Sequence, residues 1–331
     1  MQLPPSRSPR SRPFLTIEDE TLRIPRPADP APPATEADRL RLRAEADQAL
    51  TKGLTQFRQG QYVQAFTQLQ QALVGFQQAA DAPNAAKVLL TLAHAYYRLA
   101  DYLWAADYGR QCLNLAQNLQ DQPLEQQVLE HLGNCYRHLG DPQTALNYMG
   151  QSLQLAKELN DVQSEMRVLN NLAMIYRTKG LNRQAATLYE SSWIMAKALG
   201  DTKTQLQVLQ NLGNTYQTLR HYTQAIECYE QFLRLYDLHP QAVPSNQTTR
   251  RVLTQITHAS LAIQDYSRAI VYLQRHLDLA CALGNSKATT ALIDELSQCY
   301  VALNEVRSFK TSGPPSGGFQ NPAPRYPVSP G

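Results

Sequence analysis

Ala65, Ala105, Ala145, Ala185 and Ala225 stand 40 residues apart every time, and Ala269 follows after 44. Twelve positions before each alanine comes another small residue: Gly53, Ala93, Gly133, Ala173, Gly213 and Thr257. Three residues further on lie Gln56, Tyr96, Tyr136, Tyr176, Tyr216 and Ser260. A fourth column, Asp81, Asp121, Asp161 and Asp201, keeps the same step. Columns aligned at a fixed period mean that one supersecondary unit is copied along the chain. A unit this small buries its apolar faces only by stacking on its neighbours.

The unit itself is helical. Across Leu206–Asp237, Leu206, Leu209, Leu212, Gly213, Tyr216 and Leu219 fall at helical spacing on one face. His221 and Tyr222 make a short connection, and Ala225, Ile226, Tyr229, Phe232 and Leu233 form a second apolar stripe. Two amphipathic helices joined by a brief turn make an antiparallel hairpin. The small residues Gly213 and Ala225 are expected to let the two helices approach closely, with Tyr216 and Tyr229 filling the adjoining space.

These residues carry a resemblance. The stretches HLGNCYRHLG, NNLAMIYRTKG and NLGNTYQTL, the small residue nine after each tyrosine, and the linker ALGD resemble the tetratricopeptide repeat. The 40-residue period is similar to the subclass seen in Pins-type spindle-orientation adaptors and in many bacterial repeat proteins, where the commoner repeat has 34. The fold so implied is an all-α, TPR-like α-solenoid over residues 35–304. It has six helical hairpins and a C-terminal capping helix, Thr289–Leu303. The first repeat departs from the pattern at Lys52 and Gln56, as an end unit does. The extra four residues before the sixth repeat, with Pro240 and Pro244, read as a surface insertion, with a slight bend in the stack as the alternative.

Residues 1–34 hold nine of the 20 prolines and residues 305–331 hold six, so both ends are expected to be disordered tails. The acid-free stretch up to Ile17 lacks the apolar run of a signal peptide, and its prolines oppose a transit helix.

Function follows from the resemblance and from exclusions. In the family the inner surface is lined mainly by the first helix of each repeat. That register selects Lys87, His94 and Tyr97 from the second repeat, then Asn134 and Arg137, then Arg167, Asn170 and Arg177, then Gln210, Asn214 and Gln217. Asparagine amides offer a donor and an acceptor to an extended backbone. Arg137, Arg167 and Arg177 suit carboxylates. The reading is a protein-interaction adaptor whose groove takes a peptide segment of a protein partner, the sharper expectation being a segment with acidic residues. The alternative is a regulatory sensor that responds to a short peptide. The family's chaperone-tail clamp needs a lysine four residues before an asparagine. Here Glu130/Asn134 and Gln210/Asn214 occupy those offsets, so the resemblance does not extend to that ligand.

No cofactor and no enzyme signature is present: there is no glycine-rich phosphate loop, no HExxH and no GxSxG. His131 and His138 lie two turns apart on one helix, about 10 Å, too far to share a metal ion. They are expected to be surface histidines. A formal charge of +3, from 31 basic and 28 acidic side chains, lacks the concentrated basic face that nucleic acid selects. No stretch is apolar enough to span a membrane. Five cysteines without a CxxC pair read as core residues of a cytoplasmic protein.

Overall fold

The computed structural model describes residues 35–242 and 246–312. The two expected tails lie outside the described residues, except where the last helix enters the second. The described residues are all-α, and the chain divides at Leu139/Gly140 into two compact units. The first contains α1 (Glu36–Arg58), α2 (Tyr62–Gln78), α3 (Ala82–Arg98), α4 (Tyr102–Asn118) and α5 (Gln122–His138). The second contains α6 (Pro142–Glu158), α7 (Val162–Thr178), α8 (Asn182–Ala198), α9 (Thr202–Thr218) and α10 (Tyr222–Leu238). After a short 3-10 turn, Pro240–Ala242, it continues with α11 (Asn246–Ala262), α12 (Tyr266–Ala282) and α13 (Ser286–Ser312). Within each unit every helix packs on the next in sequence, the stacking of an α-solenoid. In addition α3 touches α5 in the first unit, and α9 touches α7 and α11 in the second.

The aspartate column punctuates this fold. Asp81, Asp121, Asp161 and Asp201 are the N-caps of α3, α5, α7 and α9, and Asp101, Asp141 and Asp265 cap α4, α6 and α12. Each carboxylate accepts from the amide three residues on, satisfying a donor that the first turn leaves free. The residue just before each cap is left-handed, for example Gln120 at φ 55° and Gly200 at φ 67°. There the chain reverses, and the cap's own amide donates back into the preceding helix, as Asp121 N does to Ala116 O at 3.0 Å. Asp201 also accepts from the Thr204 hydroxyl at 2.6 Å. Its replacement by alanine is expected to cost about 1 kcal/mol, read by urea denaturation.

Packing follows the small-residue columns, with one refinement. Gly213 of α9 faces the ring of Tyr229 on α10, where a Cβ would lie 2.5 Å from Cε1. The close approach thus makes room for an aromatic ring between the helices, and Ala225 is buried beside it. Cross-helix bonds recur as well: the Ser192 hydroxyl donates to Met166 O at 2.9 Å and the Cys112 thiol to Ala86 O at 3.2 Å. Burial pushes the Cys112, Cys135 and Cys228 thiols up to about 12, so they remain neutral packing groups. Cys299 is buried too, whereas Cys281 is exposed, contrary to the expectation of five core cysteines.

The last helix also differs from the expected Thr289–Leu303. Helix α13 begins at Ser286 and continues past Asn304 to Ser312. No proline or glycine occurs in that extension, and the Gly313–Pro314 pair that ends helical propensity comes only afterwards. Residues 305–312 are therefore helix, not tail.

Candidate functional site

In the second unit the selected residues cluster on α7 and α9. Asn214 and Gln217 sit half-buried, one turn apart on α9, and both lean on Tyr229 of α10. The Tyr229 hydroxyl lies 2.8 Å from Asn214 Oδ1 and 3.0 Å from Gln217 Oε1. A phenol has one proton, so it cannot donate to both oxygens. The shorter contact, to Asn214 Oδ1, takes the proton, and Gln217 Oε1 faces the same hydroxyl at 3.0 Å. Both amides thus turn their oxygens to Tyr229, which leaves each NH2 group to donate elsewhere. Two amide donors one turn apart suit the carbonyls of an extended backbone.

Gln210 lies one turn before Asn214 on α9 and is half-buried. Asn170 of α7 departs from expectation, being only 5% exposed, with no hydrogen-bond partner for its Oδ1. Packing in the second unit has drawn it into the interior, so it does not line an open surface. Arg177 is exposed, and Arg167 is half-buried with Nη2 2.9 Å from the Ser164 hydroxyl.

In the first unit Lys87 is exposed and reaches Asn84 Oδ1 at 3.4 Å. Asn134 turns its amide back on Glu130 O at 3.2 Å, which spends a donor within its own helix. His94, Tyr97 and Arg137 come together, with three partners the register did not select: His131, Tyr102 and His138. The His94 and His131 rings meet edge to face at 4.6 Å, and Tyr97 lies 5.4 Å from both His131 and His138. Tyr102 stacks on His138 at 4.4 Å, and Arg137 Nη2 is 2.7 Å from His138 Nε2. The Nε of Arg137 is buried with no acceptor. His131 is not the surface histidine expected: it is 6% exposed, bonds the Ala93 carbonyl and holds Cys135 Sγ 3.5 Å from its Nε2.

Burial pushes the His131 imidazole down to about 3, and the neighbouring His94 adds to the shift. Desolvation lowers His94 and His138 as well, and the Arg137 charge lowers His138 further. His94 retains solvent access on one side despite this crowding, so its environment is a lip more than an interior. Sequence spacing missed this cluster because Tyr102 starts α4, a second helix, and His131 occupies a core-facing position of α5. Among the described residues no three His, Cys, Asp or Glu side chains are placed to hold a metal ion. No helix among them is long and apolar enough to cross a membrane.

Comparison with known proteins agrees with this architecture. The sequence profile of the tetratricopeptide repeat matches residues 124–192 and 166–237. No curated protein matches the chain in sequence. Among solved structures, the chain is similar to a Pyrococcus horikoshii STAND signal-transduction ATPase with a tetratricopeptide repeat sensor. The TM-score is 0.65 at 15% identity, over 83% of this chain and 44% of that one. It is also similar to BtubC from P. vanneervenii, with a TM-score of 0.55 and 17% identity over 74% of this chain and 92% of that one. A Rap protein complexed with Competence and Sporulation Factor gives 0.53 and 14% over 79% of this chain and 76% of that one. At these identities the likeness is one of fold. The matching profile identifies tetratricopeptide repeats over residues 124–237, and the capped hairpins on either side continue the same fold.

Proposed function

We propose that this chain is an adaptor whose first helices hold an extended segment of a protein partner. The carrying observation is the pair on α9: the Tyr229 hydroxyl engages both amide oxygens, so the NH2 groups of Asn214 and Gln217 are left to donate to the carbonyls of a bound backbone. Arg167 and Arg177 in the same unit, and Lys87 and Arg137 in the other, favour a segment carrying carboxylates. Buried unpaired thiols suit a reducing, cytoplasmic setting.

A second reading, a sensor that changes shape when a peptide binds, takes support from the likeness to the Rap protein in complex with its factor. The test uses the full-length chain as bait in a lysate, beside an Asn214→Ala/Gln217→Ala variant checked for unchanged helicity. Loss of two hydrogen bonds should reduce retention of a genuine partner about tenfold or more. Equal retention by both proteins would remove the groove from consideration. A changed hydrodynamic radius on partner binding selects the sensor over the static adaptor.

A further inference from the structure

The insertion that lengthens one 40-residue step to 44 does more than decorate the surface. Its 3-10 turn brings Ala242 against the core of the second unit, where it is half-buried. Beneath it is a cavity of about 160 Å³ lined by Lys203, Leu206, Gln207, Gln210, Phe232, Ala242 and Thr248. The floor is apolar: Leu206 is 3% and Phe232 1% exposed. Gln207 and Gln210 of α9 and Thr248 of α11 give it polar walls. Lys203, in the first turn of α9, is exposed and has neither an ion pair nor a side-chain hydrogen bond among the described residues.

Size and polarity narrow what fits. A dry protein cavity of about 150 Å³ accepts a benzene molecule, so this space matches one side chain of leucine to phenylalanine size. An apolar group entering it gains about 1.5–3 kcal/mol by leaving water. The cation on the rim favours a carboxylate beside that group, and the adjacent amides favour a backbone. Gln210 belongs both to this cavity and to the helix face bearing Asn214 and Gln217, so the two surfaces are continuous along α9.

We propose that the cavity beneath the insertion is a specificity pocket that takes one leucine- or phenylalanine-sized side chain of a bound peptide, with an adjacent acidic side chain of that peptide paired to Lys203. The inference rests on the peptide-adaptor reading and adds the residue type that the adaptor selects.

The test is methyl and amide NMR on the full-length protein titrated with the capped peptide acetyl-Gly-Asp-Leu-Gly-amide. Saturable shifts are expected at the Leu206 and Ala242 methyls. Replacing the peptide's leucine with glycine should abolish them, and replacing its aspartate with asparagine should weaken binding severalfold. Ala242→Trp, which fills the cavity from the turn, and Gln207→Trp, which fills it from an exposed helix position, should each weaken binding at least fivefold. Lys203→Glu should do the same for the aspartate peptide and spare the asparagine peptide. Shifts confined to the Asn214 and Gln217 side-chain amides would overturn the pocket while leaving the adaptor reading intact. An absence of shifts at both places would overturn both. Leu206 shifts that persist unchanged in the two tryptophan variants would also overturn the pocket.

Discussion

Replacing Gly213 with alanine is expected to lower stability by about 1–3 kcal/mol and to lower the melting temperature by several degrees. The added Cβ would stand 2.5 Å from Cε1 of Tyr229 and 2.9 Å from its Cδ1 and Cζ. That ring has no freedom to withdraw, since Tyr229 is fully buried among α9, α10 and their neighbours. Relief requires the helices to part or the ring to leave its rotamer, and both disturb a close-packed interior. The same substitution at Gly150, which is exposed on α6 with nothing within 4 Å of the new Cβ, should instead stabilise the chain. The gain there is about 0.5–1 kcal/mol, because alanine is the better helix former. Thermal melts of the two variants therefore move in opposite directions. A neutral Gly213→Ala would show that the ring is not held as described. Because Tyr229 also orients Asn214 and Gln217, the Gly213 variant should bind partners less well even at temperatures where it stays folded.

The second large effect is loss of stability in mild acid. His131 is held neutral by burial, with an imidazole pushed down to about 3, whereas the unfolded chain titrates near 6.5. Below that value the unfolded state binds a proton that the folded state refuses. The stabilisation is thus complete above about pH 6.5 and is lost as pH falls, by about 1.4 kcal/mol per pH unit for a single site. The groups facing the ring are His94, Tyr97 and Cys135, with the Ala93 carbonyl, and none of them supplies a compensating carboxylate. His94, His138 and His276 are lowered too and act in the same direction. The hydrogen-bonded caps Asp141 and Asp161, lowered from 3.8, lose their contribution only at more acid pH. Urea denaturation between pH 7 and 5 therefore isolates the histidines. His131→Leu should flatten the pH dependence in that window by close to one proton. An unchanged slope in the variant would mean that His131 is accessible to protonation in the folded protein.

Much of the fold was legible in the residues because its signals are local and repeated. The columns at 40-residue steps, aspartates included, mark the repeat, and the apolar stripes of Leu206–Asp237 mark which faces are covered; that the aspartates are helix caps emerged only with the structure. The candidate site was legible in part. The register selected Asn214 and Gln217 on one helix, but their useful orientation comes from Tyr229, which belongs to the core stripe of the next helix. Asn170 occupies the equivalent column to Gln210 and yet is buried, since a shared register does not equalise the packing around it.

The residues alone determined the helical hairpins, their repeat length and the small positions where helices approach. All of these follow from backbone hydrogen bonding and side-chain size within about twenty residues of chain. Tertiary structure alone decided which polar groups meet: the imidazole and tyrosine cluster built from α3, α4 and α5, the buried His131, and the cavity that Ala242 covers between α9, α10 and α11. Those contacts join residues that no single helical period relates, so they exist only once neighbouring helices have stacked and excluded water from between them.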